Sequence, residues 1–199
     1  MNYPQGQAQR FNAKMFSEER VTQMAGYLLT KRGGRMAYIK LLKLLYLAER
    51  QAMGRWGESI CGDKFVSMPN GPVLSQTYDL IKEHDFHDGE SYWKSWIQDE
   101  DNYEVSLINP PTSEDFDELS LAERDLLDAI FNKFGQMSRF EIVRYTHDHC
   151  PEWEDPNGSS YPIEAETIFR VLGNDDSQIE RLVSMNREQR KLDRIKARL

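Results

Sequence analysis

The segment MAYIKLLKLLYLAERQAMGRW, residues 36–56, is the most apolar part of the chain. At helical spacing Ala37, Leu41, Leu44, Ala48 and Ala52 line one face, and Leu42, Leu45, Met53 and Trp56 widen it. A helix apolar over so much of its circumference belongs at the centre of a core. Lys40, Lys43 and Arg50 fall on the remaining strip, which predicts a narrow basic edge turned to solvent or to a partner. Gly57 stops the helix.

Upstream, Val21, Met24, Ala25, Leu28 and Leu29 recur at helical spacing, and KRGG supplies cationic last residues and a glycine stop. Downstream, GDKFVSMPNGP (residues 62–72) reads as a short extended piece through Phe65 and Val66, followed by a turn. Gly71 can take backbone angles closed to other residues and Pro72 suits a first helical position, so Asn70-Gly71-Pro72 is expected to start a helix over Val73 to Lys82. SYWKSWI and NYEVSLI look like two strands joined by the acidic turn QDEDN. Ser120 with Glu123, Ser138 with Glu141, and Ser177 with Glu180 have capping-box spacing. They predict helices over about Leu121 to Phe134, Arg139 to His147 and Gln178 to Leu199, with another over Ile163 to Leu172. The fold class is therefore α+β and mainly α-helical: a helical domain with a small β-hairpin or short sheet and a C-terminal helix. The expected organisation is a polar leader over 1–15, one domain over 16–175, and a charged helix over 176–199.

The 199 residues suit a single well-cored domain, with 39% hydrophobic and 29% charged residues. MNYPQGQAQRFNAK has no apolar signal core, and no apolar run approaches the roughly 18 residues of a membrane span. With Cys61 and Cys150 far apart and outside any CxxC pattern, the chain reads as a cytoplasmic protein with reduced thiols. The formal charge of −8 argues against general nucleic-acid affinity. That charge is uneven: from Ser177 onward seven Lys and Arg stand against three acidic residues. There EQRKLDRIKARL is a thin apolar stripe among cations, with Arg190 and Arg194 prominent, and suits an acidic groove of a partner or of a second copy of the chain.

Three blocks carry a family resemblance. KLLKLLYLA (residues 40–48), GPV followed by Tyr78, and YTHDHCPEW with His147, Pro151 and Trp153 occur in an order and spacing that resemble the Panacea domain of SocA-like antitoxins, over roughly residues 20–155. The resemblance implies a mainly helical bacterial or phage protein that binds and neutralises a protein toxin encoded nearby, without enzymatic activity or cofactor. Members are paired with chemically unrelated toxins, and at least one acts as an adaptor to the ClpXP protease, which makes such a protease a second implied partner. Lys43, Tyr46, Asn70, Pro72, Tyr78, His147 and Trp153 are then the candidate partner-binding residues of the shared core, and Arg190 and Arg194 those of the tail. Asn70 departs from the aromatic or histidine expected before Gly-Pro, and the basic helix after Ser177 lies outside the shared core. The turn at Asn70-Gly71-Pro72 reads as scaffold that shapes a binding surface.

Other chemistry finds little footing. HDHC (residues 147–150) offers histidine and thiol donors, but residues two apart on a helix point to different sides, so His147 and His149 could share a metal only beyond the helix end. The simpler expectation packs His147 against Trp153 and leaves His149 on the surface at a helix C-terminus. His84 and His87 sit in the acidic stretch KEHDFHDGE and read as solvated. Nucleophile-elbow, Walker and HExxH patterns do not occur. LLDAIFNKFGQMSRFEIVRYTH has the outline of a helix-turn-helix, with Arg139 and Arg144 on its second helix, so a DNA-binding regulator is the alternative function.

Overall fold

The computed structural model describes residues 15–82 and 91–196, with the side chains of residues 190, 194 and 196 excepted. The expected leader up to residue 14, both histidines of the KEHDFHDGE stretch and the last three residues lie outside them. The chain runs through α1 (Glu18–Lys31), β1 (Arg35–Ala37), α2 (Tyr38–Trp56), β2 (Phe65–Met68), β3 (Gly71–Leu74) and α3 (Ser75–Ile81). It continues through α4 (Tyr92–Trp96), β4 (Ile97–Glu100), β5 (Glu104–Leu107), α5 (Leu121–Phe134), α6 (Arg139–His149), β6 (Tyr161–Ile163), α7 (Ala165–Val171) and α8 (Asp176–Lys196). The expected α+β, mainly helical architecture is what forms.

Helix α2 is the axis of the molecule. It packs against α1, α5, α6, α7, β1 and β3, and Leu41, Leu44, Leu45, Tyr46, Ala48 and Ala52 are fully buried along it. Fully burying one such leucine stabilises the fold by about 1.5–3 kcal/mol, so this helix alone anchors the core. Its end is fixed by Gly57 in the left-handed region, at φ 75°, whose missing side chain leaves room for Leu182 of α8.

Two three-stranded antiparallel sheets flank the helices, ordered β1-β5-β4 and β3-β2-β6. In the second sheet β2 and β3 form a tight hairpin with Met68 opposite Gly71 and Phe65 opposite Leu74, turning at Pro69 and Asn70. Here the expected helix start is corrected: residues 71–74 are strand, and α3 begins only at Ser75. Pro72 stands on the edge strand, where its missing N–H disturbs no pairing on the open side. The start of α3 is set by Asp63, whose carboxylate accepts the amides of Gln76 and Thr77 at 2.9 and 2.8 Å.

The SYWKSWI expectation also needs correction. Tyr92–Trp96 is a short helix, because Ser91 accepts the Lys94 amide and Glu18 of α1 accepts the Trp93 amide at 2.8 Å. The strand of the expected hairpin starts at Ile97 and pairs with β5 across a turn that holds Asn102 and Tyr103 at positive φ. The capping boxes expected at Ser120 and Ser138 form with Glu123 and Glu141. The box expected at Ser177 does not start α8; Asp175 and Gln178 bond each other's amides reciprocally at 2.8 Å, with the cap two residues earlier. The helix expected from Ile163 is β6 followed by α7, since Tyr161–Ile163 adds to β2 before the chain turns helical.

Candidate functional site

The three sequence blocks, separated by up to about a hundred residues, meet at one place. The β2–β3 hairpin lies across the middle of α2, and the end of α6 closes over its tip. Gly71, at φ 94°, is the point of closest approach: a Cβ there would stand 2.9 Å from Thr146 Oγ1 and 3.0 Å from both His147 Cδ2 and Lys43 Nζ. No larger residue fits this backbone angle and this space together.

Lys43 is not on a basic edge. It is fully buried, and its Nζ donates to the Pro72 carbonyl at 2.8 Å. Burial pushes its pKa down to about 7, with a small opposing pull from the neighbouring Cys150. Lys40 is buried as well and donates to the Gly135 carbonyl at 2.6 Å. Both lysines therefore serve as long apolar stems with a single polar tip tying α2 to a neighbouring loop, which corrects the expected solvent-facing strip. Periodicity placed them opposite the main apolar face, but the hairpin and the α5–α6 turn cover that side too.

Beside Lys43, Tyr46 donates its hydroxyl to Glu152 Oε1 at 2.5 Å, and Arg50 grips the same carboxylate with Nε at 2.5 Å and Nη2 at 3.2 Å. The Glu152 side chain has no exposed surface and Arg50 only 19%. This bond locks the PEW segment to α2 and so positions the next residue, Trp153. Its indole donates to the Met68 carbonyl at 2.9 Å and stacks flat on His147, with ring centroids 4.0 Å apart and planes 2° apart. The expected packing of His147 against Trp153 is thus present. Burial first, and then the nearby Lys43, hold the His147 pKa below its ordinary value.

The outcome is a surface with a rigid foundation. Asn70 is exposed at the hairpin tip, Met68, His147 and Trp153 are half-buried around it, and Lys43, Tyr46 and Pro72 lie beneath with no surface to offer. Tyr78, on α3, is half-buried against the core. Arg190 and Arg194 belong to α8, which packs on α7 and is not part of this cluster; their side chains lie outside the described residues. Glu49, Asp63 and Glu152, which sequence reasoning missed, are the buried acids of the framework. Glu49 accepts the Ile60 and Cys61 amides at 2.7 and 2.8 Å, and burial raises its pKa and that of Asp63. The signal available for Glu49 was its being the sole acidic residue of α2.

Chemically, a lysine with a pKa near 7 is the raw material of a nucleophile, but Lys43 has no surface that a substrate could reach. Cys61 and Cys150 are buried free thiols; burial drives the Cys61 pKa up and that of Cys150 to about 12, so neither supplies thiolate. Among the described residues no group of three or more His, Cys, Asp and Glu is arranged to hold a metal ion. His149 stays on the surface, stacked on Tyr145 at 4.3 Å. Helices α5 and α6 do form two helices joined by a short turn. The exposed side of α6 nonetheless mixes Arg139 and Arg144 with Glu141 and Asp148, and Arg139 lies over the Phe140 ring, so it presents no continuous cationic footprint for phosphate. No helix among the described residues is long and apolar enough to cross a membrane.

No curated protein and no solved structure matches the chain. A family model does: the Panacea domain of SocA-like antitoxins, over residues 41–154. That span opens in α2 beside Lys43 and closes at Glu154, directly after the Trp153 that caps the cluster. With more than half its length in that match, and with the matched blocks converging on one site, the chain belongs to the SocA-like antitoxin family of Panacea-domain proteins.

Proposed function

We propose that the protein is a non-enzymatic antitoxin that neutralises a cognate protein toxin by direct binding, and that the toxin docks on the surface formed by Asn70, Met68, His147 and Trp153. The observation that carries this reading is the convergence of the family's sequence blocks on a half-exposed hairpin tip held from beneath by buried, hydrogen-bonded polar groups. A rigid loop on a rigid base loses little conformational freedom on binding, which favours affinity at a protein interface. A half-buried tryptophan such as Trp153 is the kind of side chain that dominates such interfaces. The acidic body, with a formal charge of −8 for the whole chain, steers toward a toxin with a basic surface.

The test is genetic and then biochemical. Expression of the reading frame adjacent to this gene should arrest growth, co-expression of this chain should restore it, and the two proteins should co-purify. A harmless neighbour, or rescue with no complex, would refute direct neutralisation. Delivery to a ClpXP-type protease is a finer form of the same reading. It predicts that the toxin's half-life in cells shortens several-fold when this chain is present and is restored when the protease is deleted.

A further inference from the structure

His147 joins α6 to the hairpin tip, and its surroundings suit an uncharged ring. The imidazole stacks on Trp153 with centroids 4.0 Å and planes 2° apart, and Trp153 in turn donates to the Met68 carbonyl at 2.9 Å. His147 Cδ2 and Lys43 Nζ both stand 3.0 Å from the point that a Gly71 Cβ would occupy, so ring and amine share one packed corner. The ring nitrogen bonded to that carbon, Nε2, is buried and has no hydrogen-bond partner among the described residues. A neutral imidazole tolerates this, because one of its nitrogens carries only a lone pair. A charged imidazole carries N–H at both nitrogens and would bury a donor without an acceptor.

The groups around the ring divide between the two states. From α2 comes Lys43, whose Nζ is tied to the Pro72 carbonyl at 2.8 Å. From α6 comes Asp148, and from the segment after it Asp155; both are exposed, and both favour the charged ring, as does the Asn70 carbonyl. Strands β2 and β3 and their turn bring no titratable side chain. Behind the ring, Glu152 is engaged by Tyr46 and Arg50, and Cys150 is a buried neutral thiol. Burial first, and then Lys43, oppose the charged ring, and Lys43 itself titrates at about 7. As pH falls past neutrality the amine takes its proton and the ring follows. Two cations then meet in a corner with no carboxylate of its own, while Asp148 and Asp155 offer the imidazolium a place in solvent.

We propose that His147 is a proton-operated latch on the hairpin tip: neutral, it holds Trp153 in place beside Asn70 and Met68, and charged, it swings out toward Asp148 and Asp155 and frees the indole. The latched state has released a proton that the open state holds. Latching is therefore favoured above the ordinary imidazole value of 6.5 and is lost as pH falls below it. The consequence for binding, that acidification dismantles the surface a toxin would use, rests on the toxin-docking reading. The latch itself is tested on the free protein, so either can fail alone.

The experiment follows two NMR signals of the full chain from about pH 8 to about pH 5: the His147 ring protons and the Trp153 indole N–H, identified by its loss in Trp153→Phe. Circular dichroism tracks the helices over the same range. Protection of the indole against hydrogen exchange should fall by at least about ten-fold, with the midpoint of the His147 titration, while the helical signal stays constant. His147→Phe keeps a flat ring on the indole and cannot titrate, so its indole should stay protected throughout. Asp148→Asn with Asp155→Asn alters exposed side chains alone and should move the midpoint to lower pH. An indole indifferent to the His147 titration, or protection lost equally in His147→Phe, would overturn the proposal. So would a midpoint unmoved by the double variant, or helices lost together with the indole protection.

Discussion

Lys43 is the residue on which most of the site's electrostatics turns. Its amine ordinarily titrates at 10.5 and here at about 7, because burial penalises the ammonium form. The unfolded chain therefore holds a proton that the folded chain has released between those values, so stability rises with pH across that window and the gain is absent below it. The expected gain is of order a few kcal/mol from about pH 7 to pH 10. Urea unfolding of wild type and Lys43→Met at several pH values checks this: the difference between the two curves should change with pH, whereas parallel curves would assign the titration to other groups. The same variant removes the cation beside His147, so the imidazole should titrate higher in Lys43→Met by proton NMR. Gly71 makes a second residue-scale test. Alanine there meets a positive φ and three neighbours within 3.0 Å, and Gly71→Ala should cost at least about 2 kcal/mol in chemical denaturation. Of this, only the special backbone angle of Gly71 was legible from residues alone. The apolar period put Lys43 on a free strip, and only a hairpin arriving from 29 residues downstream buries it.

Among the elements, those whose ends are written locally were readable, and those whose ends are written elsewhere were not. Helices α5 and α6 carry their own Ser and Glu caps three residues apart, so their starts at Leu121 and Arg139 follow from the sequence. Helix α3 is started by Asp63, thirteen residues before Gln76, and α4 has, besides its own Ser91 cap, a second one from Glu18 of α1, seventy-five residues before Trp93. Such nonlocal caps leave no local mark, and Pro72 was read as a helix start in their place. Within the site, the packing of His147 on Trp153 was legible from the short span between them. The Glu152 bond to Tyr46 and Arg50 was not, because its partners lie more than a hundred residues away. That bond is the element-scale test. Glu152→Ala leaves Arg50 unpaired in a largely buried position and frees the PEW segment from α2, which should cost about 3–5 kcal/mol. It should also loosen the Trp153 stack, seen as faster indole hydrogen exchange. A small stability change with an unaltered indole would show that the carboxylate is not what positions the tryptophan.

For the whole molecule, α2 acts as a foundation, and the surface above it is built from parts that are distant in sequence. The hairpin tip contributes exposure, the end of α6 contributes the stacked imidazole, and the segment after it contributes the indole. Beneath them buried Lys43, Tyr46 and Glu152 hold the arrangement, so substitutions divide into two kinds. Those below should unfold the protein and lose the partner together, and those on top should lose the partner while the fold persists. Helix α8 packs on α7, apart from this cluster.

The measurement that bears most directly on this account is a calorimetric titration of the protein encoded by the adjacent reading frame into wild type and into Asn70→Arg. Asn70 is exposed at the hairpin turn with an ordinary backbone angle, so arginine there leaves the fold and the melting temperature intact. The account predicts affinity weaker by at least ten-fold, from a bulky cation set in the middle of the contact. Equal affinity for the two proteins would contradict it and place the toxin elsewhere on the molecule.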